Sequence, residues 1–172
     1  MDAARFKALN IAVLTVSDTR GEAEDRSGRR LVEALEGAGH ALAEKAIVRD
    51  DVYAIRAAVS RWIAAPEVDV VLSTGGTGVT GRDGTPEAVA PLLDKVIDGF
   101  GEMFRALSYD EIGTSTLQSR ALAGVANATF VFVLPGSSGA CRLAWERLIA
   151  HQLDARTKPC NLVELMPRLN ER

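Results

Sequence analysis

Three near-continuous apolar runs restrict what this chain can fold into. Residues 10–17 carry Ile11, Ala12, Val13, Leu14 and Val16, residues 68–73 carry Val68, Val70, Val71 and Leu72, and residues 129–134 read T-F-V-F-V-L. Runs this short and this apolar fit strands buried on both faces, the signature of a parallel sheet covered by helices. Segments of helical period lie between them. Ser27 predicts an N-cap before Leu31, Val32, Leu35 and Ala38, and Gly37 and Gly39 supply the stop. A further strand is expected over 41–48. Asp50 or Asp51 then caps a helix showing Ile55, Ala58, Val59, Trp62 and Ile63, which Pro66 ends. Thr85 and Pro86 read as the N-cap and first residue of a helix through Val89, Leu92, Leu93 and Val96, kinked at Pro91. Helices are also expected over 99–107 and around Leu143, Trp145, Leu148 and Ile149, whereas 113–124 has no clear assignment. The tail after His151 reads as polar. The sum is an α/β chain: a three-layer α/β/α sandwich with a mostly parallel central sheet, in a single domain over residues 1–172.

Composition narrows function by exclusion. A net charge of -3, from 20 Lys+Arg against 23 Asp+Glu, speaks against bulk electrostatic binding of nucleic acid. No apolar run reaches the roughly 18–20 residues of a membrane helix, and residues 1–9 show no secretory signal. Cys141 and Cys160 have neither metal nor redox spacing, which fits reduced thiols in a cytoplasmic protein. His40 and His151 read as surface or interface residues.

Chemistry concentrates after the third strand. Gly75, Gly76, Gly78, Gly81 and Gly84 fall within ten residues, interleaved with hydroxyls and the Arg82-Asp83 pair. Such density marks positive φ angles or close approach to the main chain, and successive exposed amides form a nest for an anion, most often phosphate. Two generic motifs overlay it incompletely. Gly76-x-Gly78-x-x-Gly81 matches the dinucleotide fingerprint but sits in the third strand–helix unit; the Walker pattern lacks its Lys and Ser/Thr, replaced by Arg82 and Asp83. What survives is a set of glycine amides beside an arginine, with an aspartate suited to magnesium. Asp83 also fits a turn-forming role, and Asp50 and Asp51 a capping role. Ligands of such folds bind beyond the carboxyl ends of the strands, where the loops 17–27, 49–51, 73–86 and 135–139 would meet. No nucleophile–base pair stands out, and P-G-S-S-G lacks the hydrolase elbow.

At this point the residues resemble the MoaB/MogA proteins of molybdenum cofactor biosynthesis, closest to the bacterial MoaB branch. The resemblance runs from Ile11 to about Asn161. It is carried by A-V-L-T-V-S-D-T-R (12–20), D-R-S-G (25–28), S-T-G-G-T-G (73–78), D-G-T-P-E-A (83–88), G-F-G-E-M-F-R (99–105), G-T-S-T-L-Q-S-R-A-L-A-G (113–124), L-P-G-S (134–137) and L-D-A-R-T-K-P-C-N (153–161).

The resemblance implies magnesium-dependent adenylyl transfer from ATP to the terminal phosphate of molybdopterin, releasing pyrophosphate. The family's two aspartates fall on Asp50 and Asp83, which would organise Mg2+ and the triphosphate. Ser73, Thr74, Gly75, Gly76, Thr77 and Gly78 would handle phosphate. Ser17 and Asp18 would line the first strand end, while Ser119, Arg120, Pro135, Gly136 and Ser137 would contact the pterin or its phosphate. Some MoaB relatives carry Glu at the position of Asp50; this chain keeps Asp, as an active enzyme would. The alternative is a molybdopterin- or precursor-binding protein without turnover. The resemblance also implies a homotrimer or homohexamer working with other enzymes of the pathway.

Overall fold

In the computed structural model, which describes residues 5–171, a six-stranded sheet runs through the molecule in the order β2-β1-β3-β6-β5-β4. Its strands are β1 (Asn10–Val16), β2 (Ala41–Val48), β3 (Val70–Thr74), β4 (Lys95–Val96), β5 (Leu122–Ala126) and β6 (Thr129–Leu134). The first four in spatial order are parallel, and β5 and β4 add on antiparallel. Side chains alternate across it. Ile11, Val13 and Leu72 face one layer, built from α1 (Arg26–Gly37), α4 (Asp98–Ile112) and α5 (Ser138–Ala144). Ala12, Leu14 and Val71 face the other, built from α2 (Val52–Ala64) and α3 (Thr85–Val89). This is the expected three-layer sandwich. Leu31 and Leu35 of α1 are fully buried, as are Ile55 and Val59 of α2. Each contributes roughly 1.5–3 kcal/mol of hydrophobic stabilisation.

Several local expectations are corrected. Asp25, not Ser27, caps α1: its carboxylate accepts from the Gly28 amide at 2.9 Å, from the Thr15 hydroxyl at 2.8 Å, and pairs with Lys45 Nζ at 2.8 Å. Burial opposes ionisation of Asp25, but these partners outweigh it and hold its carboxyl below the usual carboxylate range. The helix after Pro86 is only five residues long. Gly84 is its N-cap, because the Thr85 hydroxyl is engaged elsewhere, and Pro91 ends it in a 3-10 turn (Ala90–Leu92) before β4. Proline lacks the amide and clashes with the preceding turn, so the apolar spacing of Leu92, Leu93 and Val96 has no helix to sit on. Segment 113–124 divides into a 3-10 turn (Gly113–Gln118) and β5.

The region after His151 is not a polar appendage. A π-helical turn (Trp145–Ile149) leads into α6 (Ala150–Gln152), and Leu153 and Val163 join the main core. Asn161 caps α7 (Leu162–Leu165) through Glu164 N at 3.0 Å. His40 is likewise buried, 6 % exposed between Phe6 and Trp145, with Nδ1 accepting from Leu9 N. His151 is exposed. Of the N-terminal residues expected to lack a secretory signal, 1–4 lie outside the described residues. No helix among the described residues is long and apolar enough to cross a membrane.

Candidate functional site

The four expected loops meet at the carboxyl ends of β1, β2, β3 and β6, joined by direct contacts. Asp50 N donates to Asp18 Oδ1 at 3.0 Å, linking the loops after β2 and β1. Gly84 N donates to Asp50 Oδ1 at 3.0 Å, linking β2 to the glycine loop. Arg20 Nη1 donates to the Gly136 carbonyl at 3.4 Å, and Gly136 lies on Gly75 so closely that a Cβ there would stand 3.3 Å from the Gly75 Cα. Asp51, one residue on, is the cap of α2, accepting from Ala54 N at 2.8 Å. Asp50 is thereby left to face the loop.

The glycine loop turns at Gly75 (φ 104°) and Gly76 (φ 67°), both in the region that side chains disfavour. A Cβ on Gly75 would meet the Val16 carbonyl oxygen at 2.2 Å; one on Gly76 would meet Thr85 Oγ1 at 2.3 Å and Asp50 Oδ2 at 2.7 Å. Four successive carbonyls of this loop are each held by a donor. Gly75 O accepts from Thr85 Oγ1 at 2.8 Å and Gly76 O from Thr85 N at 3.0 Å. Thr77 O accepts from Arg120 N at 3.3 Å and Gly78 O from Arg120 Nε at 2.8 Å. The amides of Gly76 and Thr77, by contrast, donate to no acceptor among the described residues. Gly75 N is committed to Leu134 O at 3.0 Å. The result is a short nest with two uncommitted amides, fixed by its carbonyl side.

The two aspartates flank this nest in different states. Asp50 is half-buried; burial raises its pKa, and the neighbouring Asp83 and Asp18 add to the rise against the Gly84 amide and Arg82. Asp83 closes its own turn: Oδ2 accepts from Thr80 N at 2.9 Å and from Thr80 Oγ1 at 2.6 Å, and these bonds hold its carboxyl below the usual range. The Asp50 Oδ2 oxygen faces Gly76 with no protein donor among the described residues. Beyond the Asp50 amide on its Oδ1, Asp18 has one ion-pair partner among the described residues, the exposed Arg82, at 3.5 Å. Among the described residues no three His, Cys, Asp or Glu side chains form a preformed metal cluster. The donor chemistry nonetheless suits Mg2+: hard carboxylate oxygens, insufficiently neutralised, beside a nest for phosphates that would complete the coordination.

Other expected site residues take supporting positions. Arg120 does not reach into open space. Nε holds Gly78 O, Nη2 holds the Asp83 carbonyl at 3.0 Å, and Nη1 pairs with Glu87. Thr74 donates to Pro135 O at 2.9 Å and accepts the Cys141 thiol at 3.2 Å; burial drives that thiol up to about 11. Ser137 caps α5 through Ala140 N, and Ser17 Oγ accepts from Arg20 N at 3.1 Å. Ser119 has its carbonyl near Arg105. Ser73, in register with Leu14 and Val133, keeps a fully buried hydroxyl without a partner. Thr85 is the contributor that sequence reasoning missed. Its T-P pairing signals a helix start and hides a hydroxyl that locks Gly75.

Comparison with known proteins agrees with this architecture. The family of probable molybdopterin binding domains matches residues 12–155. "Molybdenum cofactor biosynthesis protein B" of Escherichia coli (strain K12) is 60% identical over 156 residues, covering 91% of this chain and 92% of that protein. A crystal structure of a molybdenum cofactor biosynthesis protein B superposes with TM-score 0.83 at 50% identity, covering 86% of this chain and 92% of that one. The tungsten cofactor synthesizing protein MoaB from Pyrococcus furiosus follows with TM-score 0.77 at 40% identity, covering 84% and 92%. The chain therefore belongs to the probable molybdopterin binding domain family, within its molybdenum cofactor biosynthesis proteins of the MoaB type.

Proposed function

We propose that this protein catalyses adenylyl transfer from ATP to the terminal phosphate of molybdopterin. In that reaction a phosphate oxygen of molybdopterin forms a bond to the α-phosphorus of ATP. The bond from that phosphorus to the β-phosphate bridging oxygen breaks, and pyrophosphate leaves. The reading rests on one observation above the others: the Gly76 and Thr77 amides stand uncommitted beside the under-neutralised carboxylate of Asp50. A phosphate monoester is largely dianionic near neutral pH, its second pKa being about 6, so it needs no general base. Catalysis then reduces to positioning and to neutralising charge, which agrees with the lack of a nucleophile–base pair in the sequence.

In this reading the nest amides hold phosphate oxygens, and Asp50 with Asp18 would hold Mg2+. The ion would neutralise the triphosphate and the departing pyrophosphate. Asp83 and Arg120 position the loop by bonding its Thr80 and Gly78 ends. The same reading carries a homotrimer or a hexamer of paired trimers. It is supported by the exposed Met103, Tyr109 and Ile112 of α4 and by the exposed Leu117 beyond it. Cytoplasmic location and partnership with other enzymes of the pathway belong to the same proposal.

The test is pyrophosphate release from ATP in the presence of molybdopterin and magnesium, for the native protein and for Asp50→Asn. Molybdopterin-dependent release that falls at least 100-fold in Asp50→Asn supports the proposal. Tight molybdopterin binding with no release at any ATP concentration would replace it with the non-catalytic binding role.

A further inference from the structure

Beside the glycine nest, on the far side of Gly136, lies a second concave surface of opposite charge. A cleft of about 490 Å3 is lined by Arg20, Glu24, Arg26, Ser137 and Ser138. It continues past Arg26 and Ser138 into a shallower one of about 290 Å3, lined also by Arg29, Arg30 and Glu33. Four arginines thus face two glutamates on a chain whose net charge is -3. Three of the four stand in the first turns of α1, which holds no acidic residue in its first turn. Cations there oppose the positive end of the helix, so helix stability does not account for them. Nor do internal contacts. Arg29 Nη2 holds the Glu22 and Ala23 carbonyls at 3.2 Å, but the guanidinium groups of Arg26 and Arg30 have neither a hydrogen bond nor an ion pair among the described residues. Asp25, the one acid between them, is buried and committed to Lys45. The same first turn contains the buried Ser27 hydroxyl, which also lacks a partner.

We infer that Arg20, Arg26 and Arg30, with the Ser137–Ser138 turn, form a metal-independent phosphate site. It takes the phosphate monoester of the second substrate, while the magnesium-chelating triphosphate lies on the aspartate side. This deepens the adenylyl-transfer reading and rests on it for the identity of the monoester. A reaction between two phosphates needs two anion sites that touch. Here the Gly75–Gly136 contact makes the wall of one cleft the back of the other. Their charges sort the ligands. The aspartate side, bearing Asp18, Asp50 and Asp83, repels an anion that arrives without a cation. The arginine side needs no metal, because planar guanidinium groups bind phosphate directly.

The experiment is calorimetric titration of the native protein, Arg26→Gln/Arg30→Gln and Asp50→Asn with two probes: inorganic phosphate in EDTA, and ATP with magnesium. Both arginines are exposed, so the double variant is expected to keep the native thermal midpoint. The expected result is phosphate binding without metal, weakened at least tenfold by the arginine variant and within twofold of native in Asp50→Asn. Magnesium–ATP binding should show the reverse pattern. Phosphate affinity unchanged in the arginine variant, or an equal loss of both probes, would overturn the assignment. Arginine-dependent phosphate binding in a protein that shows no adenylyl transfer would sustain the site and end the proposed reaction, so the two failures are distinguishable.

Discussion

Replacing Gly76 by alanine tests how the nest is built, and the structure supplies a matched control in the same loop. At Gly76 the backbone φ is 67°, a conformation that costs an ordinary residue about 1–2 kcal/mol. The new Cβ would stand 2.3 Å from Thr85 Oγ1 and 2.7 Å from Asp50 Oδ2. Thr85 is fully buried, and its hydroxyl holds Gly75 O at 2.8 Å, so yielding breaks that bond. A buried group stripped of its partner adds roughly 1–3 kcal/mol. The sum is roughly 2–5 kcal/mol of lost stability. At Gly81 the φ is not positive, and an added Cβ meets nothing within 4 Å. Gly81→Ala should therefore leave stability within about 0.5 kcal/mol of native, or raise it slightly through a stiffer unfolded chain. Urea unfolding at one protein concentration, followed by circular dichroism, checks both variants. A loss under about 1 kcal/mol in Gly76→Ala, or an equal loss in Gly81→Ala, would refute the argument from φ and steric contact.

Three further outcomes follow from particular residues. Ala128 holds φ 65° in the turn between β5 and β6, so Ala128→Gly should raise stability by about 0.5–1 kcal/mol in the same urea assay; a loss would show that the turn needs its methyl group. Burial lowers the pKa of His40 below 6.5, against the opposing pull of Asp154 and Asp69. The folded state thus favours neutral imidazole: its stability is present above about pH 6.5 and is lost as pH falls toward the depressed value. Thermal midpoints between about pH 7.5 and 5 should fall more steeply for the native protein than for His40→Gln, and parallel curves would contradict this. Burial and flanking carboxylates raise the pKa of Asp50, so its charged form opposes folding near neutral pH. Asp50→Asn, which can still accept from Gly84 N, should raise the thermal midpoint without magnesium while losing magnesium–ATP binding in calorimetry. A lowered midpoint would show that the carboxylate is structurally needed.

How far the residues announced this arrangement depends on the range of each interaction. The boundaries of β2 and β6 are the ones expected, and β1, α1 and α2 lie within a residue or two of expectation, because burial on both faces or on one stripe is written into local periodicity. The β5–β6 hairpin was not legible. Its turn is Asn127-Ala128 rather than Asn-Gly, so the usual signal for two positive φ angles is missing. The apolar spacing through Val96 predicts a longer helix than the chain forms, because Pro91 ends it in a 3-10 turn. His40 looked superficial beside a helix end, yet it is covered by Phe6 and Trp145, which lie 34 and 105 positions away in the chain numbering. At the site, residue types pointed to Asp50 and the glycines. Only the folded chain shows that Arg120 is turned onto Gly78, 42 residues earlier, and that Asp83 is engaged by Thr80.

The clamping contacts share a direction that bears on mechanism. Thr85 and Arg120 contribute four donors to residues 75–78, and every one of them meets a carbonyl. Had the sequence placed acceptors there instead, the loop would be equally ordered, but its amides would be consumed. Fixing the carbonyls turns the peptide dipoles of residues 75–78 into a set pattern before any ligand arrives, so the amides need little reorganisation to meet a phosphate oxygen. Arg120 thereby has an effect beyond its own charge. Its pairing with Glu87 offsets part of the field that it would otherwise cast on the nest, while its bonds to Thr77 O, Gly78 O and Asp83 O fix the following part of the loop. The Gly76 and Thr77 amides themselves are oriented by Thr85, which holds the carbonyls of their own peptide units, Gly75 O and Gly76 O. The field from formally charged side chains around the nest is then dominated by Asp18, Asp50 and Asp83, and the unpaired arginines lie behind Gly136. A substrate phosphate on the nest meets amide dipoles and carboxylates, a combination that favours an anion carrying its own divalent cation over a bare one.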